Sequence, residues 1–473
     1  MPKSKLLLAR AVVLSGCVVL SGCSPAAPGS GVDVGGAGGE ASADLSSSTM
    51  NALRALRYDA GPPPPDPSNA VADDAGAQLL GRRLFFDPSL SGRLLEGDHD
   101  GGGGTLGLKG ETGKISCASC HVPHAHFVDV RSPHRQISLG ALWTRRRTPT
   151  LLEVAFAPLY NWDGRRDSIW GQALGVIESE REFNSSRLFV AERVVESYGP
   201  EYRALFGEPP ELGDAQQYPA LEAEQNGCSE LLNQDGVYYD CVGRPGDDGP
   251  YDGLSSEQQQ AVTEVAVNAT KAIAAYVRQL RCGSGRFDAW LDGDEAAMSA
   301  SEVRGAALFV GKGRCIDCHS GPNLTDGAFH NVGLRPAVVA VAFTDTGDRG
   351  AAAGLAELAS DPLSTSGTFS DGDRGVIPED VDPAMEGAFR TPTLRCIAEQ
   401  PSFLHTGQLT SLASVVSFFS RGGDGPGGYP GENELEELDL SAEEQADLAA
   451  FLGALMGPGP AGALLSPPGD APE

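Results

Sequence analysis

The sequence predicts a mainly α fold in two domains with long loops, and three observations carry that reading. Apolar residues recur at helical spacing across 150–200, 257–281, 299–312, 409–420 and 441–456. No run of alternating apolar and polar residues stands out as a strand. One pattern, C-x-x-C-H, occurs twice and far apart, as Cys117-Ala118-Ser119-Cys120-His121 and as Cys315-Ile316-Asp317-Cys318-His319. A motif repeated at such a distance is expected once in each domain.

Composition sets the outer limits. Of 473 residues, 41% are hydrophobic, enough to bury a core, while 61 Gly and 33 Pro point to long loops and tails. The formal net charge of -29 excludes nucleic acid as a partner and permits a basic protein. A mean hydropathy of -0.18 excludes a polytopic membrane protein.

Along the chain, Lys3, Lys5 and Arg10 precede or open an apolar run over 11–20 that is too short to span a bilayer, the pattern of an export signal. The run ends in Leu14-Ser15-Gly16-Cys17 and Leu20-Ser21-Gly22-Cys23, which resemble the bacterial lipoprotein box. Residues 1–23 are therefore expected as a lipoprotein-type signal peptide, with Cys23 lipidated. A periplasmic location follows, with membrane contact by the lipid anchor only. Residues 24–75 are rich in Gly, Ala, Ser and Pro, include Gly61-Pro62-Pro63-Pro64-Pro65, and read as a disordered tether. A helical pattern begins near Ala75 with Leu79, Leu80, Leu84 and Phe85, opening a first domain over 76–255. Within it, 97–114 reads as a surface loop around Gly101 to Gly104, and 207–256 as a turn-rich insertion. A second domain is expected over 256–457 and a disordered Pro/Gly tail over 458–473.

The two C-x-x-C-H motifs carry the chemistry. Thiols at this spacing can each form a thioether to one vinyl group of the same haem, and the adjacent imidazole then lies under the iron. Zinc would need a second ligand pair at the usual spacing for each C-x-x-C, and none is present. A thioredoxin-like site would need a βαβ context. Two covalently bound c-type haems are therefore expected, one on Cys117, Cys120 and His121, the other on Cys315, Cys318 and His319. The four remaining cysteines are expected as two disulfides, Cys228–Cys241 and Cys282–Cys396, with buried free thiols as the alternative for the second pair.

Further motifs surround these. Arg147-Thr148-Pro149-Thr150-Leu151 leads to Trp162-Asp163-Gly164-Arg165, then Gln172, Glu178, Glu180 and Glu182. After the second C-x-x-C-H come Gly321-Pro322-Asn323-Leu324-Thr325-Asp326-Gly327, Phe389-Arg390-Thr391-Pro392-Thr393-Leu394-Arg395 and Phe403-Leu404-His405-Thr406-Gly407. In this order the motifs resemble the bacterial dihaem cytochrome c peroxidase family, including its MauG-type protein-oxidising members, from about Leu79 to Leu455. The resemblance implies two cytochrome c-like haem domains, with peroxide cleaved at the His121 haem. It implies Gln172 and, ten residues later, Glu182 in the distal pocket, with Trp162 between the haems. It implies a relay haem on His319, and His405 is expected near a haem propionate.

Peroxide cleavage needs such residues in any case. A carboxylate can carry the proton from one peroxide oxygen to the other, and a Gln amide can orient without titrating. The leading expectation is an exported peroxidase reducing hydrogen peroxide, supplied by a small electron-donor protein such as a cytochrome c or cupredoxin. The alternatives are a MauG-type oxidase acting on a protein substrate and a non-enzymatic dihaem electron carrier.

Two positions depart from the pattern. The family's second-haem ligand, Met or Tyr, would fall fourteen residues after His405, where this chain has Phe419, which has no lone pair to give. The iron is then five-coordinate, water-bound or served by another residue such as Tyr429 or Met385. The family's calcium-site Asn would fall at Arg147, whose guanidinium repels Ca²⁺, so no conventional calcium is expected there.

Overall fold

The computed structural model describes residues 45–96, 106–131, 137–233, 236–336, 347–378, 380–425 and 428–469. The expected signal peptide, Cys23 and the Gly101 to Gly104 loop lie outside the described residues. Among those described, no helix is long and apolar enough to cross a membrane.

The chain is mostly helical. In order it forms α1 (Ser47–Arg54), α2 (Ala75–Phe86), α3 (Cys117–Cys120), α4 (Ile169–Glu178), α5 (Arg187–Phe206), the hairpin β1 (Gly227–Asn233) and β2 (Gly236–Val242), α6 (Ser256–Val277), α7 (Arg286–Leu291) and α8 (Ala300–Val310). There follow β3 (Phe329–His330), α9 (Ala351–Leu358), β4 (Phe389–Arg390, antiparallel to β3), α10 (Leu412–Ser420) and α11 (Ala442–Ala454). Helix starts are written locally. Ser168, Ser186, Ser255, Ser299 and Ser441 each accept a backbone N–H of the first turn, and Gln258, Glu302 and Glu444 return the bond as capping boxes.

Two apolar cores result. In the first, α2, α4 and α5 pack around α6, whose second half is buried on every face. In the second, α8 crosses α11 around Phe287, Phe309 and Phe451, each side chain contributing about 1.5–3 kcal/mol by burial. Both crossings need a glycine. A Cβ on Gly81 of α2 would sit 1.8 Å from the Ala272 carbonyl oxygen, and one on Gly305 of α8 2.0 Å from that of Asp447.

Several expectations are corrected. Helix α6, expected to open the second domain, packs into the first core. Residues 45–75 are ordered rather than a tether. Leu53 and Leu56 enter the second core, Tyr58 donates its N–H to Asp288 and its hydroxyl to Glu153, and Arg281 and Arg278 hold the carbonyls of Gly61 and Pro64. Few apolar residues suffice there because each meets a core already built by other helices. The tail is ordered through residue 469 by the same means: Tyr276 donates to Leu464 O and Arg82 to Ser466 O. The helical spacing over 150–200 becomes one 3-10 turn at Val154–Phe156, then α4 and α5, with the rest of 150–168 in turns and a bridge. The turn-rich insertion hides a hairpin, paired Cys228 to Cys241, that alternation did not reveal.

Both disulfides are formed, Cys228–Cys241 and Cys282–Cys396. The second closes a sequence separation of 114 residues and joins the segment after α6 to the segment after β4, with both cysteines in the first core. Replacing Cys282 and Cys396 together by Ala should lower stability by up to about 4–5 kcal/mol, read as a fall in the urea midpoint. Alkylation of the denatured, unreduced holoprotein should find no reactive thiol at these two positions.

Candidate active site

Each C-x-x-C-H motif is held by one hydrogen bond of the same kind. His121 Nδ1 lies 3.0 Å from the carbonyl oxygen of Phe127, and His319 Nδ1 lies 2.8 Å from that of Leu324. The imidazole donates here, which leaves Nε2 with its lone pair for a metal. Burial pushes the His121 pKa down to about 4 and lowers that of His319, so both rings are neutral. Cys117, Cys120, Cys315 and Cys318 are half-buried and uncrosslinked. His319, Cys315 and Cys318 open on a cavity of about 560 Å³, walled by Phe309, Leu412, Val415, Val416, Phe419 and Leu448. Paired thiols, an oriented neutral imidazole and an apolar cavity fit a c-type haem.

The two halves repeat each other beyond these motifs. Arg147-Thr148-Pro149-Thr150-Leu151 recurs as Arg390-Thr391-Pro392-Thr393-Leu394, and fifteen residues after each Arg stand Trp162 and His405. Both follow a residue with positive φ, Asn161 at 64° and Leu404 at 65°, and both start a turn closed by a bridge, Tyr160 to Arg166 and Phe403 to Leu409. The repeats lock reciprocally. Arg147 N–H donates to His405 O at 2.7 Å, and Arg390 N–H to Trp162 O at 2.8 Å. The repeated pentapeptide was the signal in the sequence that could have revealed this.

The structure places Trp162 on the wall of the His319 cavity, with Nε1 donating to Arg147 O at 2.8 Å. From Arg147 the chain runs two residues to Pro149, whose carbonyl acts on the His121 ring, so one short segment reaches the first motif and lines the cavity of the second. His405 lines the same cavity, stacked on Phe389 at 3.5 Å between ring centres, with Nε2 lacking a partner. Burial pushes its pKa down to about 3.

The three carboxylates after α4 part company. Glu178 is bound by Arg187 at 2.7 Å, and Glu180 lies half-buried beside Arg181 and Arg244. Glu182 has no ion pair within 4 Å among the described residues. Burial raises its pKa against the pull of Arg165 and a Ser179 hydrogen bond, and its charge reaches Cys120 of the first motif. Its backbone is pinned where Ala141 N–H meets Glu182 O at 2.9 Å. Gln172 stands on the half-buried face of α4 and makes no side-chain hydrogen bond among the described residues. No bond joins it to Glu182. Its counterpart in the repeat, ten residues after His405, is Val415, which lines the second cavity.

Phe419 lines that cavity too, where the ligand was missing. Neither substitute reaches it. Tyr429 packs behind Phe389 and His405, and Met385 sits in a separate cluster with Leu159 and Leu355. Arg147 is buried, with a guanidinium N–H given to the Gln400 side-chain oxygen. A buried cation in that position repels a divalent metal, so the residues present do not fit calcium. Sequence reasoning missed Arg390 as a cavity residue and also His330, which lines the cavity between Asp326 at 2.9 Å and Glu434 at 2.7 Å.

The family profile for di-haem cytochrome c peroxidase matches residues 75–226. The methylamine utilization protein MauG of Methylorubrum extorquens is 29% identical over 87% of this chain and 86% of its own length. Cytochrome-c peroxidase IdrP1 of Denitromonas iodatirespirans is 30% identical over 84% of this chain and 85% of its own. The diheme peroxidase BthA from Burkholderia thailandensis shares the fold at 20% identity, with a TM-score of 0.56 over 83% of this chain and 89% of that one. With its two haem-binding motifs, this chain belongs to the di-haem cytochrome c peroxidase family and is an oxidoreductase of the peroxide-using kind.

Proposed function

We propose that the chain is an exported peroxidase that reduces hydrogen peroxide on the His121 side, with electrons entering through the His319 side and passing Trp162. The observation that carries this reading is the isolation of Glu182, the one carboxylate of three that is desolvated, unpaired and close to the first motif. A haem bound at His121 supplies the iron that takes peroxide and the electrons that cleave its O–O bond. The protein supplies the proton path. Glu182 accepts a proton from the near oxygen of the peroxide and returns it to the departing oxygen, which leaves as water, a transfer worth roughly 10²–10⁴-fold. The Gln172 amide, on the helix that repeats α10, orients the peroxide without titrating. Trp162 offers a π-system, fixed by its Nε1 bond, at the wall of the second cavity. A carrier would have no use for a desolvated carboxylate there. An electron-donor protein or a protein substrate, as for the relative named MauG, is separated by which of the two is oxidised.

A peroxide titration followed by optical and EPR spectra tests the whole reading. A reaction at one iron with oxidation shared by the second is expected, and inert spectra would end it. Glu182→Gln should lower peroxide turnover by about 10²–10⁴-fold while both haems stay attached. The pH profile adds a sign. The base form of Glu182 is populated only above its raised pKa, so the peroxide rate should fall on acidification through a value above the ordinary ~4.3 of glutamate. That limb should vanish in the variant. Phe419→Met places a thioether in the second cavity and should raise the potential of that haem, with a new sulfur-ligand spectrum. An unmoved potential would show that the α10 side chain does not reach the iron.

A further inference from the structure

Two guanidiniums on the wall of the His319 cavity lack an anion, and their neighbours show that this is unusual for the chain. Arg146 is paired with Asp163 at 2.6 Å and with Asp348 at 2.7 Å. Arg395 is paired with Asp288 at 2.8 Å. By contrast, Arg147 is 5% exposed, gives one N–H to Gln400 and leaves Nε without a partner. Arg390 gives its Nε to the carbonyl oxygen of Asn161 at 3.2 Å. Among the described residues neither has a carboxylate within ion-pair distance. A buried guanidinium is tolerated when an anion meets it, with the fork geometry favouring a carboxylate. Both side chains line the cavity, on the side of Trp162 and His405. The cavity's own carboxylates are already engaged, Asp326 and Glu434 by His330 and Glu436 by Arg314, so none of them serves Arg147 or Arg390.

We propose that Arg147 and Arg390, the equivalent arginines of the two repeats, receive the two propionates of the haem held by His319 and fix which edge of that haem faces Trp162. The proposal rests on the reading that this motif carries a haem. Two cations then meet two carboxylates, and the propionates need no calcium ion to offset them. These are positioning residues. They hold the cofactor edge and hold the iron's potential up, because nearby positive charge favours the reduced state.

The test uses the full, matured chain. Arg147→Gln and Arg390→Gln should keep two haems per chain by pyridine haemochrome assay and shift the midpoint potential of the His319 haem downward, with Arg390→Lys recovering part of the shift. An unchanged potential in both Gln variants overturns the proposal. Should a Gln variant not mature, Arg147→Lys and Arg390→Lys answer by resonance Raman. The propionate bending bands should move toward weaker hydrogen bonding, and unmoved bands overturn the assignment. An unaltered protein with fewer than two haems per chain would defeat the cofactor reading itself, independently of the arginines.

Discussion

The reciprocal pair of backbone hydrogen bonds between the repeats, Arg147 to His405 and Arg390 to Trp162, is the constraint on which the rest depends. Each half lends the other an N–H and takes a carbonyl in return. The exchange sets Trp162 and His405 at 6.4 Å between ring centres and puts both on one cavity wall. It needs Asn161 and Leu404 at positive φ, a strain of order 1–3 kcal/mol each that the surrounding packing must hold. Neither half could orient these rings alone.

The same economy governs the metal-facing histidines. Phe127 and Leu324, whose carbonyls accept the imidazole protons, are also at positive φ, at 57° and 52°. A left-handed turn after each motif bends the chain back so that the carbonyl meets Nδ1. The tautomer of each ligand is thus set by a strained residue five or six positions away. Burial then keeps the ring neutral, which is the form a metal takes.

The halves diverge where chemistry demands it. In the first, the helix of the repeat carries Gln172 and is followed by Glu182; in the second, it carries Val415 and Phe419, and the cavity is apolar. The buried disulfide and the ordered arms at both ends hold the two cores in one unit, so the distance between the sites is set by packing rather than by a linker.

By itself, the sequence determined what short-range chemistry can specify. The C-x-x-C-H motifs, the cysteine pairings and the helices with Ser caps all depend on residues close in the chain or on a small set of partners. The family resemblance, through its ten-residue offset from Gln172, pointed to Glu182; in the structure Glu178 and Glu180 lie within ion-pair distance of arginines and Glu182 does not. Tertiary structure alone decided the rest. Residues 45–75 look like a tether because order there comes from cores built elsewhere. The hairpin around Cys228 escaped because its sequence shows no alternation. Helix α6 joined the first core because its apolar surface runs all round, which periodicity cannot aim. Arg147 and Arg390 came to one cavity wall from positions more than two hundred residues apart, since burial and the absence of an anion are properties of a place and not of a sequence.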